Sequence, residues 1–173
     1  MSFLKTAATC FGICTIFFLL FHPFDINAVE LAKDQQEMVE ELGHPDSFTL
    51  IIVEEDENPG IWHRMESWDY YKLETSFSFV DGTLSGSYDI KDFPSFTLLP
   101  NIYTPEQFEN GMRLQEVEKK IIADRPFGKV DLQKEILPEA KILGTEQLIM
   151  GFIGDMLVYV ETLPLLLEGQ EER

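Results

Sequence analysis

Apolar and polar positions change their period several times along this chain, and each change predicts an element. From Val29 to Leu42, the positions Leu31, Gln35, Met38, Val39 and Leu42 fall at three- and four-residue steps. That spacing predicts a helix, and Gly43 ends it. Gly43-His44-Pro45-Asp46 reads as a turn, because glycine frees the backbone and proline fixes it. The period then drops to two. Ser47–Val53 is rich in β-branched and aromatic residues and predicts a strand. The run Glu54-Glu55-Asp56-Glu57-Asn58-Pro59-Gly60 predicts an exposed loop, since adjacent carboxylates repel and Pro-Gly turns the chain. A strand resumes over His63–Lys72, with Arg64, Glu66, Trp68 and Tyr70 on one face and Met65, Ser67, Asp69 and Tyr71 on the other. Thr75–Tyr88 carries the clearest local signal. Phe77 and Phe79 alternate with serines, Asp81-Gly82 follows, and Leu84 opens a second extended run, so a tight hairpin with positive φ at both turn residues is expected.

The second half is read the same way. Asp89–Asn101 holds two prolines and reads as a connector. Thr104-Pro105-Glu106-Gln107 has the form of a capping-box helix start. Gly111 interrupts, and Leu114, Val117 and Ile121 mark a second amphipathic helix. Lys129–Leu143, split by Pro138, reads as irregular or partly helical and feeds a short strand. Leu148–Ile153, Gly154-Asp155 and Met156–Leu163 predict another hairpin, and Glu168–Arg173 a polar tail.

The N-terminus has a different logic. Lys5 is the only charge before an apolar run from Ala7 to Phe21, and Pro23, Asp25 and the small residue Ala28 follow it. A positive start, a short apolar run and a small-residue exit form a secretory signal, predicted to span residues 1–28. The alternative is an uncleaved membrane anchor, for which the run is short against the roughly 20 apolar residues that cross a bilayer. Export to the periplasm or outside the cell is therefore expected. Removal of the signal leaves 145 residues (173 less 28) and takes both cysteines, Cys10 and Cys14. Neither a disulfide nor a thiolate chemistry is then available to the mature chain. Lys5 and Asp25 go too, so 12 basic residues face 30 acidic ones and the net charge stays at −18. Such a surplus repels phosphate backbones and anionic lipid, which excludes nucleic acid as a partner class and leaves membrane contact to the signal or anchor.

Phe77–Leu84 and Met150–Leu157 echo one another: an apolar strand, a two-residue Gly/Asp turn, and a leucine in the return strand. The expected class is α+β, with helices packed on an antiparallel sheet, either as one unit or as two tandem helix-plus-sheet units. The division would be 29–101 and 102–173. Several passages, Met38-Val39-Glu40-Glu41-Leu42-Gly43-His44-Pro45-Asp46, Trp68-Asp69-Tyr70, Phe79-Val80-Asp81-Gly82-Thr83-Leu84, Gly111-Met112-Arg113-Leu114-Gln115-Glu116-Val117 and Leu157-Val158-Tyr159, together resemble the SmpA/OmlA-type envelope module. Their order along the chain is similar to the tandem β-lactamase-inhibitor-protein-like fold. The first helix departs from that module in lacking a Gly-Met start, and Arg113 stands where a capping serine or threonine is expected. The resemblance implies a non-catalytic binding or scaffolding protein of the cell envelope that recognises a protein partner.

Candidate chemistry was weighed against that reading. His44 and His63 are the only histidines outside the signal, and positions 63 and 66 of a strand point to opposite faces, so a His63–Glu66 metal pair is disfavoured. Consecutive carboxylates at Glu54–Glu57 diverge, unlike the alternate ligands of a calcium loop. No Gly-x-Ser-x-Gly elbow or phosphate-binding glycine loop occurs. No catalytic residue, metal or cofactor is therefore assigned. Two other readings stay open, a small secreted hydrolase using a carboxylate pair and an acidic ion- or polymer-binding module. Trp62, Trp68, Tyr70 and Tyr71 form a dense aromatic group, and tryptophan and tyrosine dominate interface hot spots. They are the candidate partner-binding residues, with Trp68 and Tyr70 the pair that a buried strand face would claim instead.

Overall fold

The computed structural model describes residues 30–55, 57–90, 101–121, 128–129 and 139–164. The signal, most of the connector, much of 130–143 and the polar tail lie outside the described residues. Helix α1 spans Lys33–Leu42 and ends at Gly43, whose positive φ of 82° glycine accepts without a Cβ clash. Strands β1 (Ser47–Glu54), β2 (Trp62–Tyr70), β3 (Thr75–Val80) and β4 (Thr83–Asp89) follow, with a 3-10 turn at Tyr71–Leu73. The Asp81-Gly82 turn joins β3 to β4 with φ of 49° and 79°, as the sequence predicts. Helix α2 (Leu114–Lys120), β5 (Gly128–Lys129), β6 (Lys141–Gly144), β7 (Leu148–Ile153) and β8 (Met156–Thr162) complete the order. No helix among the described residues is long and apolar enough to cross a membrane.

All eight strands join one antiparallel sheet in the order β4-β3-β2-β1-β8-β7-β6-β5. This corrects the expected α+β class of helices packed on a sheet. Among the described residues the fold is β-rich, a single sheet with two short helices. One reason is that β1 is paired on both sides. It meets β2 along its whole length and β8 at Thr49↔Glu161, Leu50↔Val160 and Ile51↔Tyr159, so the sheet is continuous through the middle of the molecule.

The other reason is that the helix expected from Thr104 does not form. Gln107 Oε1 does accept the Thr104 N–H at 3.2 Å, as a capping box requires. Only one 3-10 turn results, at Pro105–Gln107, before Phe108 turns extended and is buried and Gly111 takes a φ of 76°. Burying Phe108, with the roughly 1.5–3 kcal/mol such a side chain contributes, outweighs the few tenths offered by helix propensity. Much of the sheet's cover is thus irregular chain carrying Tyr103, Phe108 and Met112. Beneath it lie Phe48, Leu50 and Ile52 of β1, Trp68 of β2, Phe79 of β3, Leu148, Met150 and Phe152 of β7, and Leu157 and Val160 of β8. Leu31 just before α1, Met38, Val39 and Leu42 of α1 and Leu114 of α2 pack against this cluster, of which Val117 of α2 is a member.

Candidate functional site

The covered face of β2 carries charge as well as aromatics. Arg64, Glu66, Trp68 and Tyr70 alternate there, all buried. Glu66 is the hub. Its Oε1 accepts from Arg64 Nε at 2.6 Å and from Gln35 Nε2 of α1 at 2.8 Å, while Oε2 accepts from Trp68 Nε1 at 2.8 Å. The Arg64 guanidinium also donates to the carbonyls of Pro105, at 2.9 Å, and Phe108. A buried charge is tolerated when it is paired and its remaining hydrogen-bonding positions are filled, and both conditions are met. The network ties strand, helix and irregular cover together. A cleft of about 210 Å³ opens beside it, lined by Gln35, Arg64, Glu66, Asp81, Gly82 and Glu106 among others. Glu106 Oε2 is buried with no hydrogen-bond partner among the described residues, and its Oε1 lies 3.5 Å from His44 Nδ1. For a hydrolytic carboxylate pair in this cleft, Glu66 is poorly placed, since three donors already occupy its lone pairs.

At the mouth of the cleft His63 Nδ1 meets Asp81 Oδ2 at 2.8 Å, and Asp81 Oδ1 accepts the Arg64 N–H at 2.8 Å. That hydrogen bond raises the His63 pKa above its ordinary 6.5 and lowers that of Asp81 below its ordinary 3.8. His63 is exposed and Glu66 buried on the other face, so the two do not approach as ligands. Among the described residues, no three His, Cys, Asp or Glu side chains converge as a metal centre would need.

The opposite, outer face of β1–β4 is banded by register. Ile51, Met65, Val80 and Thr83 form one cross-strand row, Thr49, Ser67, Ser78 and Gly86 the next, and Ser47, Asp69, Ser76 and Tyr88 a third. Met65 is 45% exposed, Val80 38% and Tyr88 54%. Asp69 accepts from Ser47 Oγ at 2.9 Å and from Ser76 Oγ at 2.6 Å. Ser67 Oγ lies 2.9 Å from Ser76 Oγ and 2.8 Å from Tyr88 OH, while Ser47 Oγ lies 2.6 Å from Tyr71 OH. An ionised carboxylate only accepts, so each hydroxyl chain donates toward Asp69. The result is a polar band held in fixed orientation beside an apolar one.

The four aromatic candidates do not share a surface. Trp68 and Tyr70 are buried in the core, where Trp68 packs on Phe79 at 4.7 Å between ring centroids and Tyr70 OH donates to the Gly43 carbonyl at 2.9 Å. Burial pushes the Tyr70 pKa up, and that of the half-buried Tyr71 likewise. Trp62, 37% exposed, stands at the start of β2, on the same side of the strand as Arg64 and Trp68 by alternation. Sequence reasoning overlooked Met65, Val80 and Tyr88. Their signal was present in the strand alternation that put Met65, Ser67 and Asp69 opposite Trp68, which makes them outward once Trp68 is assigned to the core. No family model matches this chain, and neither a curated protein nor a solved structure is similar to it.

Proposed function

We propose that this chain is a non-catalytic exported protein that recognises a protein partner of the cell envelope through the outer face of β2, β3 and β4. The observation that carries this reading is the exposed apolar pair Met65 and Val80, cross-strand neighbours, beside the oriented hydroxyl band that ends at Tyr88. An apolar centre with a polar rim is the anatomy of a recognition surface. Export is supported by Lys5, the apolar run Ala7–Phe21 and Ala28. The envelope setting is supported by the module resemblance, and the net charge of −18 favours a cationic partner.

Two measurements test the reading. Expressed in a secretion-competent host, the chain should be recovered outside the cytosol with its N-terminus near Val29. A cytosolic product retaining Met1 would overturn export. Cross-linking in an envelope extract should give one stoichiometric adduct with the wild-type chain and at least about tenfold less with Met65→Glu/Val80→Glu, a loss of about 1.4 kcal/mol or more. Leu73→Glu, outside the face, should leave the adduct intact. Equal capture by all three proteins would overturn the assignment of the face.

A further inference from the structure

The two hairpins match more closely than their sequences do. In β3–β4, Phe79 pairs with Leu84 and the register then shifts so that Ser78 pairs with Gly86; in β7–β8, Phe152 pairs with Leu157 and Gly151 with Tyr159. Every pair of one ladder maps onto the other by a shift of 73 residues (152 less 79), bulge included. The counterpart of β4 is therefore β8, and β8 has β1 hydrogen-bonded along its outer edge at Tyr159, Val160 and Glu161. The corresponding residues of β4 are Gly86, Ser87 and Tyr88. That strand ends the sheet, and all seven of its residues are exposed.

Its backbone is only half closed. The Leu84 N–H points away from β3 and is taken by Asp34 Oδ2 of α1 at 2.9 Å. At the other end Ile90 N donates inward to the Glu74 carbonyl at 2.8 Å. Antiparallel alternation then turns the N–H and C=O of Ser87 and Asp89 outward, where nothing among the described residues meets them. Natural edges of this kind are commonly guarded by lysine or proline. Here β4 itself carries Asp89 and no lysine, arginine or proline, and the flanking Lys72 and Lys91 fall outside the two strands of the hairpin.

We infer that the outer edge of β4, over Ser87–Asp89, accepts an extended basic segment of a partner protein as an added antiparallel strand, in the position β1 occupies on β8. The inference rests on the proposed reading of the chain as a protein-binding molecule and names the chemistry of what is bound. Backbone pairing supplies the geometry, and Asp89 on the edge, within a chain of net charge −18, selects cationic side chains. A second copy of this chain is a poor occupant, because edge-to-edge pairing would set Asp89 and a net charge of −18 against their own kind.

The probe is a ten-residue peptide alternating lysine and valine, with a glutamate–valine peptide as its counterpart, added to the isotope-labelled chain as isolated from the host. The lysine peptide should slow hydrogen exchange of the Ser87 and Asp89 amides about tenfold or more, with affinity falling as salt shortens the Debye length from about 30 Å at 0.01 M to 8 Å at 0.15 M. The glutamate peptide should do neither. Ser87→Pro, which removes an outward N–H, should abolish the protection. Asp89→Lys, which leaves the backbone untouched, should weaken binding about tenfold. Protection confined to other amides, equal binding of both peptides, or the same two amides protected without peptide in a concentration-dependent dimer would each overturn the inference. If these results fail while Met65→Glu/Val80→Glu still abolishes partner capture, the edge is refuted and the binding face stands; if capture also proves insensitive, both fall.

Discussion

Neutralising Glu66 tests the buried network directly. Its side chain is 1% exposed and accepts three hydrogen bonds, from Arg64, Gln35 and Trp68. In Glu66→Leu the Arg64 guanidinium, with its side chain 10% exposed, keeps two backbone carbonyls but loses the carboxylate it is paired with among the described residues. Removing one partner of a buried pair costs about 3–5 kcal/mol. Glu66→Gln preserves shape, yet its amide NH₂ must face at least one of the three donors, so a loss of about 2–3 kcal/mol is expected. Against a total stability of about 5–15 kcal/mol, the leucine variant should stand near the edge of folding. Urea unfolding followed by tryptophan fluorescence reads these values, since Trp68 sits within the network. The decisive figure is the double-mutant cycle with Arg64→Leu, which should be less costly than the sum of the single changes by about 2 kcal/mol. A coupling below about 0.5 kcal/mol, or a Glu66→Gln loss below about 1 kcal/mol, would refute the claim that this pair holds the sheet to its cover.

Two further outcomes follow from the β3–β4 turn. Gly82 has a φ of 79°, and a Cβ built there would lie 2.3 Å from Ala32 Cβ, so Gly82→Ala should destabilise the fold by more than about 1 kcal/mol, while Ala32→Gly in the same chain should restore part of the loss in thermal melts. The His63–Asp81 pair should give stability a pH dependence. The raised folded pKa of His63 means that its contribution is fully present below pH 6.5, the unfolded value, and is lost as pH rises through the folded one. Asp81, with its pKa lowered, contributes above pH 3.8 and loses that contribution as pH falls through its folded value. The pair is therefore most stabilising between those limits, and melting scans of wild type and His63→Gln at low salt should diverge there and converge once the pH has risen past the folded pKa of His63. Parallel curves across the whole range would refute it.

Local chemistry carried much of this reading. Alternation over His63–Lys72 separated the two faces of β2 correctly, and Asp81-Gly82 announced its turn, because both depend on neighbours within a few residues. The candidate site was less legible. Arg64 and Glu66 were placed on the face of Trp68 and Tyr70, but nothing in the alternation marks a charged pair as buried. Burial there depends on Gln35 and on the carbonyls of Pro105 and Phe108, which come from distant parts of the chain.

The capping pattern at Thr104 expresses a helix preference of a few tenths of a kcal/mol per residue, and tertiary burial of Phe108 overrode it. The single sheet depends on Thr49 meeting Glu161, a pairing across more than a hundred residues for which local sequence holds no signal. By itself the sequence determined most of the strands, the hairpin turns, the helices at Lys33–Leu42 and Leu114–Lys120 and the acidic charge, since these follow from period, backbone conformation and composition. Which strand edges were satisfied, which charges were buried, and which face was left outward were decided only when the halves met, because hydrogen bonding along an edge and exclusion of water belong to the assembled sheet.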